Sequence, residues 1–138
     1  MKKIILFLVF GLFLSCKQSI SESDLQNLNG YWEIEKVELP DGDKKEYKVN
    51  ETIDFFKIKD EKGFRKKVMP QLDGTYLTND IQEDIVIAIK DGDATIQYKT
   101  TYASWNEEII ELTKDKLVVK NQQDFEYHYK RPVKFSIK

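Results

Sequence analysis

Short stretches of alternating apolar and polar residues dominate this chain and predict antiparallel β-strands. The alternation is clearest at Phe125, Tyr127 and Tyr129, which share one parity. Glu126 and His128 lie between them and face the other side of the strand, because strand side chains alternate with a period of two. One apolar face and one polar face are typical of an antiparallel sheet with one side in water. The pattern shows no apolar stripe of the kind that predicts a long helix.

The same pattern divides the chain into a meander of short strands. The candidate strands are 31–39, 52–59, 63–69, 74–78, 84–90, 94–103, 105–112, 116–120 and 125–131. Alternation resumes after Pro132 and predicts a tenth strand there. Asp-Gly dipeptides at 41–42 and 91–92 are typical of tight hairpin turns, which require positive φ. Neighbouring strands are therefore expected to pair in chain order.

Two of these strands change parity within their own length. In strand 31–39 the apolar positions shift parity between Ile34 and Val37, and in strand 105–112 they shift between Ile109 and Ile110. A β-bulge shifts the phase by one residue and bends the strand. Because bent strands allow a sheet to close on itself, we predict an all-β barrel of eight to ten short strands. A two-sheet β-sandwich is the alternative.

The first sixteen residues form a separate unit. Lys2 and Lys3 precede an apolar run over 4–14, and Ser15 and Cys16 follow. A basic start, an apolar run and a small residue are the pattern of a secretory signal peptide. The run is much shorter than the ~20 residues that a membrane-spanning helix needs. We therefore expect residues 1–15 to be a signal peptide.

The end of this signal resembles the lipobox of bacterial lipoproteins, in which the cysteine becomes the lipidated first residue of the mature chain. The matching residues are Leu12-Phe13-Leu14-Ser15-Cys16, with Phe13 in place of the usual leucine. Cys16 is the single cysteine, so it has no partner for an internal disulfide. The alternative is an ordinary secretory signal with an incidental cysteine.

The lipobox resemblance implies a palmitate-type anchor that attaches the protein to a membrane of the bacterial cell envelope, with the outer membrane favoured. Acyl chains contribute ~0.8 kcal/mol per buried CH₂, so a multiply acylated Cys16 holds firmly. Residues 16–29 are mostly polar after the cysteine and are predicted to be a flexible tether. Within this tether, Ser23 and Asp24 could cap a short helical turn that carries Leu25 and Leu28. The folded domain is then expected to span 30–138.

The two ends of that domain resemble the lipocalin-like domain of small bacterial envelope lipoproteins. Gly30-Tyr31-Trp32 opens the domain, and Tyr127-His128-Tyr129-Lys130-Arg131 nearly closes it. In that family a Gly-x-Trp begins the first strand, and an arginine or lysine of the last strand covers the tryptophan. The resemblance implies that Gly30, Trp32 and Arg131 close one barrel end and are structural. The domain is shorter than a full lipocalin, and no C-terminal helix is predicted.

Tyrosines are the candidate ligand-binding residues. An inward-facing tyrosine offers an apolar ring and a polar tip, which suits an amphipathic ligand. The five candidates are Tyr76, Tyr98, Tyr102, Tyr127 and Tyr129. We therefore predict a barrel that binds a small apolar or amphipathic molecule. The alternative is a solid-core structural or protein-interaction module without a small-molecule ligand.

Charge and the remaining motifs indicate neither an enzyme nor a nucleic-acid-binding protein. The chain has 22 basic and 24 acidic residues, a balance that gives no support for nucleic-acid binding. His128 is the only histidine, and parity predicts it on the exposed face without a nucleophile nearby. The basic stretch 57–67 is interpreted as a solvated hairpin, and contact with anionic lipid or glycan is the alternative. We predict no catalytic residue, no cofactor and no metal site.

Overall fold

A computed structural model describes residues 17–133. It contains a short 3₁₀ helix over Glu22–Leu28 and ten β-strands. The strands are β1 Gly30–Glu38, β2 Lys44–Glu46, β3 Ile53–Lys59, β4 Lys62–Pro70, β5 Tyr76–Thr78, β6 Glu83–Lys90, β7 Asp93–Lys99, β8 Ser104–Leu112, β9 Lys116–Asn121 and β10 Glu126–Lys130. No helix within this part of the chain is long and apolar enough to span a membrane.

Eight of the strands form a closed antiparallel barrel. They pair in the order β1, β3, β4, β6, β7, β8, β9 and β10, and β10 pairs back onto β1. The two short strands lie outside this ring, where β2 pairs with β1 and β5 with β4. The prediction of a closed antiparallel barrel is confirmed, and the β-sandwich alternative is wrong. Closure leaves no open edge on the eight-stranded ring.

Both predicted bulges are present. The pairing of β1 with β10 shifts register between Ile34 and Lys36, and the pairing of β8 with β9 shifts between Ile109 and Glu111. The hairpin turn at 91–92 also has the predicted conformation, since Asp91 and Gly92 have φ of 51° and 82°. Local sequence signals therefore determine where this sheet bends and turns.

The structure differs from the predicted strands at the end of β7 and at β2, and one predicted strand lies largely outside the described residues. β7 ends at Lys99 instead of 103, because residues 100–103 form a turn closed by the hydrogen bond from Thr100 N to the Ala103 carbonyl at 2.8 Å. The unpredicted strand β2 consists of charged residues only, so no apolar alternation marks it. The predicted tenth strand after Pro132 falls largely on residues 134–138, outside the described residues.

Residues 17–29 belong to the folded body. Ile20, Leu25 and Leu28 are buried and join the central core. Gln18 adds a hydrogen bond from its backbone N–H to the Ile110 carbonyl at 2.9 Å. The predicted flexible tether is thus replaced by a segment that packs across one barrel end, since its three apolar side chains gain more by burial than by solvation. The signal peptide and Cys16 lie outside the described residues.

Candidate functional site

One end of the barrel is closed by Trp32 and Arg131. Trp32 lies on β1 and is fully buried, and its indole N–H donates a hydrogen bond of 2.9 Å to the Leu28 carbonyl. The guanidinium carbon of Arg131 lies 3.6 Å from the centroid of the Trp32 ring. The predicted contact between these two side chains is therefore present. A cation–π interaction of this kind contributes ~0.5–2 kcal/mol.

Arg131 also ties three backbone segments together at this end. Its nitrogens donate to the carbonyl oxygens of Asn27, Tyr31 and Lys114 at 2.7, 3.0 and 2.9 Å. Gly30 has a φ of 108°, and a Cβ at this position would lie 3.2 Å from Arg131 Nη1. Glycine therefore supplies both the backbone conformation and the room for the guanidinium. These contacts support the structural role expected of Gly30, Trp32 and Arg131.

The opposite end of the barrel carries charged side chains that point inward. Arg65 on β4 is paired in register with Glu83 on β6, and Arg65 Nε donates to Glu83 Oε2 at 2.6 Å. Arg65 Nη1 also lies 3.8 Å from Glu107 Oε1 on β8. The guanidinium carbon stands 4.2 Å from the centroid of the buried Tyr98 ring. Arginine seldom enters a protein interior without such partners.

Glu107 has a polar atom that these partners do not satisfy. Its Oε1 is buried and accepts no hydrogen bond among the described residues. Burial raises the pKa of Glu107, and the hydrogen bond with Tyr98 and the charge of Arg65 offset this effect only in part. A buried acceptor without a donor costs about 1–3 kcal/mol. Glu107 Oε1 is therefore a buried acceptor whose hydrogen-bonding capacity is unused among the described residues.

A cavity of about 350 Å³ opens at this end, beside Arg65 and Glu107. Trp105, Tyr127 and Tyr129 form its aromatic walls. Behind the wall, the Trp105 ring stacks on Tyr98 with centroids 5.3 Å apart and an interplanar angle of 14°. This size lies within the ~300–1,000 Å³ typical of small-molecule sites. We call this space the mouth cavity.

A larger cleft of about 660 Å³ lies on the outside of the barrel. Tyr31 forms one wall, and it faces outward because Trp32, its neighbour on β1, faces inward. The Tyr31 ring stacks on Tyr76 with centroids 4.0 Å apart and an interplanar angle of 11°. Val49 and Ile53 contribute further apolar surface. We call this space the outer cleft.

The structure separates the five candidate tyrosines. Tyr127 and Tyr129 line the mouth cavity, and Tyr98 is buried behind its wall. Tyr76 lies in the outer cleft instead of the barrel interior. Tyr102 is 97% exposed in the turn between β7 and β8, so its predicted inward orientation is wrong. That prediction fails because β7 ends before Tyr102, and the period of two has no meaning in a turn.

Sequence reasoning missed the charged residues of the mouth cavity. The interpretation of stretch 57–67 as a solvated hairpin is wrong for Arg65, whose side chain is 11% exposed. Its inward position follows only from its register partner Phe56, which is buried on β3. A usable signal existed for Glu107, because it has the parity of Trp105 and Ile109 in the same strand.

His128 also differs from its predicted environment. As parity predicts, His128 lies on the face opposite the buried Tyr129. However, only 8% of His128 is exposed. The side chains of Glu38 and Glu126 approach its ring from β1 and β10. A position on the outer face therefore does not make this histidine a solvated surface residue.

Comparison with known proteins identifies one family. The sequence model of the family described as lipocalin-like domain matches residues 28–119, which is more than half of the chain. The matched range begins at the closed end with Leu28 and includes Trp32, Arg65 and Glu107. No curated protein matches the chain.

Three solved structures are similar to the chain at low sequence identity. A lipocalin-like protein from Bacteroides uniformis has a TM-score of 0.49 and 10% identity, with 77% of this chain and 99% of that chain covered. An uncharacterized protein from Bacteroides eggerthii has a TM-score of 0.47 and 15% identity, with 76% and 99% covered. Apocrustacyanin C1 has a TM-score of 0.48 and 10% identity, with 88% and 73% covered.

Proposed function

Because this chain belongs to the family of lipocalin-like domains, we propose that it binds a small amphipathic molecule in the mouth cavity. The fold is typically a binding fold and not a catalytic one. One observation carries the proposal. The mouth cavity combines aromatic walls with a buried carboxylate oxygen, Glu107 Oε1, that lacks a hydrogen-bond donor.

The chemistry of the lining favours an amphipathic ligand over a purely apolar one. An apolar or aromatic part would pack against Trp105 and Tyr127, while a hydroxyl or amino group would donate to Glu107 Oε1. A purely apolar ligand would leave Glu107 Oε1 without a hydrogen-bond donor, which is unfavourable. The proposed ligand therefore has a ring or short chain with at least one hydrogen-bond donor.

Fluorescence titration with 1-anilinonaphthalene-8-sulfonate, a small amphipathic dye, tests the location of the site in the soluble body 17–138. We expect saturable binding that Trp105→Ala weakens roughly tenfold, since one aromatic contact is worth about 0.5–1.5 kcal/mol and 1.4 kcal/mol is tenfold in affinity. Tyr31→Ala removes an aromatic ring from the outer cleft and serves as the matched control, with unchanged affinity expected. The reverse pattern would move the site to the outer cleft and contradict the proposal.

Native mass spectrometry of the chain purified from its own host tests for a natural ligand. We expect a small molecule bound at a ratio of one per chain, and its loss from the Trp105→Ala variant. A chain that carries no small molecule, together with no saturable dye binding, would contradict ligand binding at this site.

We also propose that Cys16 carries a lipid that anchors the barrel to a membrane of the bacterial cell envelope, with the outer membrane favoured. The support is the sequence pattern that ends in Leu14-Ser15-Cys16. Metabolic labelling with radioactive palmitate should label the chain, and Cys16→Ser or treatment with globomycin should abolish processing or labelling. Labelling that persists in Cys16→Ser would contradict the anchor.

A protein-interaction module is the second candidate function. It is favoured by four large apolar side chains that are well exposed around the outer cleft and the β4–β5 hairpin. These are Val49, Leu72, Leu77 and Ile81. Monomeric proteins rarely expose extended apolar patches without a binding role. Cross-linking in the host that depends on Leu77 and Ile81, but not on Trp105, would favour this function over ligand binding.

A further inference from the structure

A second polar cluster lies on the outer face of the barrel, away from the mouth cavity. His128 Nε2 lies 3.1 Å from Glu126 Oε1 and 3.7 Å from Glu38 Oε2, and the three atoms are all within 4.8 Å of one another. Glu126 and His128 are two residues apart on β10 and share a face. Glu38 on β1 is the register partner of Glu126. Barrel closure therefore brings these three side chains together.

The cluster offers three possible ligand atoms for a cation. His128 is more than nine-tenths buried, and its Nε2 makes no hydrogen bond among the described residues. In the neutral ring protonated at Nδ1, the Nε2 lone pair would face two carboxylates. Three electron-rich atoms at this spacing repel one another unless a proton or a metal ion lies between them. A proton on Nε2 or a bound cation would remove this repulsion.

We propose that His128 Nε2, Glu126 Oε1 and Glu38 Oε2 bind a divalent transition-metal ion, with Zn²⁺ as the representative. Zinc binds imidazole nitrogen and carboxylate oxygen at about 2.0–2.2 Å in a tetrahedron, which places ligand atoms roughly 3.3–3.6 Å apart. The observed separations of 3.1 and 3.7 Å are close to that spacing. Three protein ligands leave the fourth position for water.

Lys36 positions one of the proposed ligands. Its Nζ lies 3.1 Å from Glu38 Oε1, the oxygen that faces away from the histidine contact. This hydrogen bond lowers the pKa of Glu38 and keeps it ionised, while Glu38 Oε2 remains directed at His128. Partners that orient a metal-binding carboxylate in this way are common outside the ligand shell. Lys44 adds a second positive charge near Glu38, so the site is expected to bind more weakly than a four-ligand zinc centre.

Isothermal titration calorimetry of ZnCl₂ into the metal-stripped full chain in detergent tests the proposal. We expect one zinc ion per chain, and a loss of affinity of at least roughly tenfold in His128→Gln and in Glu126→Gln. Glu35→Gln is the matched control, because Glu35 is an exposed glutamate of the same strand as Glu38. Its affinity should equal that of the unchanged protein.

Nitrogen-detected NMR provides a second readout that does not depend on a folded His128 variant. His128 is the only histidine, so its ring signals are unambiguous. Zinc should shift the Nε2 resonance. The proposal is overturned if the unchanged protein binds no zinc, if His128→Gln binds it equally well, or if the Nε2 resonance does not move when zinc is added.

Discussion

The two ends of the barrel place an arginine on an aromatic ring in different ways. At the closed end Arg131 lies 3.6 Å from the Trp32 centroid, and at the open end Arg65 lies 4.2 Å from the Tyr98 centroid. Arg131 donates to three backbone carbonyls, those of Asn27, Tyr31 and Lys114. Arg65 instead lies among carboxylates, one of which keeps an unsatisfied oxygen in Glu107.

Because of this difference, the two ends of the barrel are expected to have different roles. A guanidinium whose donors reach neutral carbonyls completes a set of hydrogen bonds and needs nothing further. A buried carboxylate beside a cavity costs free energy until a ligand supplies a donor. The closed end is therefore expected to stabilise the fold, and the open end to hold the proposed ligand. Substitutions matched between the two ends can test this division.

The largest expected effect is the loss of the closed-end tryptophan. Trp32→Ala should lower the free energy of unfolding by about 3–5 kcal/mol, because it leaves a cavity in a packed core. Trp105→Ala at the open end should cost only about 1–2 kcal/mol, since the residue is half-buried and loses mainly its stacking on Tyr98. Urea unfolding followed by circular dichroism measures both values. Equal losses would contradict the division between the two ends.

An intermediate effect is expected when the closed-end guanidinium is removed. Arg131→Ala should lower the free energy of unfolding by about 2–3 kcal/mol, because three carbonyls lose a charged donor and Trp32 loses its cation. Lys130→Ala, at the preceding position, is the control and should change stability little. Thermal unfolding compares the two variants. A loss no greater than that of Lys130→Ala would show that Arg131 is not needed for closure.

The smallest effect is the pH dependence contributed by Glu107. Burial raises the pKa of this carboxyl above its ordinary value of 4.5, so the folded state holds its proton more tightly than the unfolded state. The stabilisation that results is present below pH 4.5 and is lost as the pH rises through the folded pKa. The Glu107→Gln variant has no carboxyl group at this position and therefore does not lose stability in this way. Its free energy of unfolding, relative to that of the unchanged protein, should increase between pH 4 and 7.

Urea unfolding at several pH values checks this expectation, with Glu35→Gln as the control for the loss of one exposed glutamate. The stability difference between Glu107→Gln and the unchanged protein should grow with pH, whereas the Glu35→Gln difference should stay nearly constant. A difference that shrinks with rising pH would mean that Glu107 is stabilised as a carboxylate, and that its oxygen is already satisfied.

Much of the fold could be predicted because its signals are local. The parity changes near Ile34 and Ile109 marked the two bulges, and the Asp-Gly pair at 91–92 marked a hairpin. The strand predictions fail where the alternation of apolar and polar residues ends or is missing. The period of two predicts Tyr102 on a strand face although it lies in a turn, and it does not predict β2, which has no apolar residue.

The candidate sites were less predictable because charge says little about burial in a closed barrel. A basic residue such as Arg65 is usually exposed, and only its pairing across β3 and β6 places it inside. Glu38 and His128 belong to strands at opposite ends of the chain, so nothing in their local sequence links them. Their contact depends on the register of β1 with β10.

The strand periodicity, the turns and the bulges follow from the amino-acid sequence alone, because backbone geometry and side-chain alternation act over a few residues. The contact of Trp32 with Arg131 is expected only from the resemblance to lipocalin-like domains. Which charges face inward, where the cavities lie and which side chains meet across the closing β1–β10 seam become visible only in the folded barrel. Those features depend on register and closure, which are set by the packing of the whole barrel and not by any one segment.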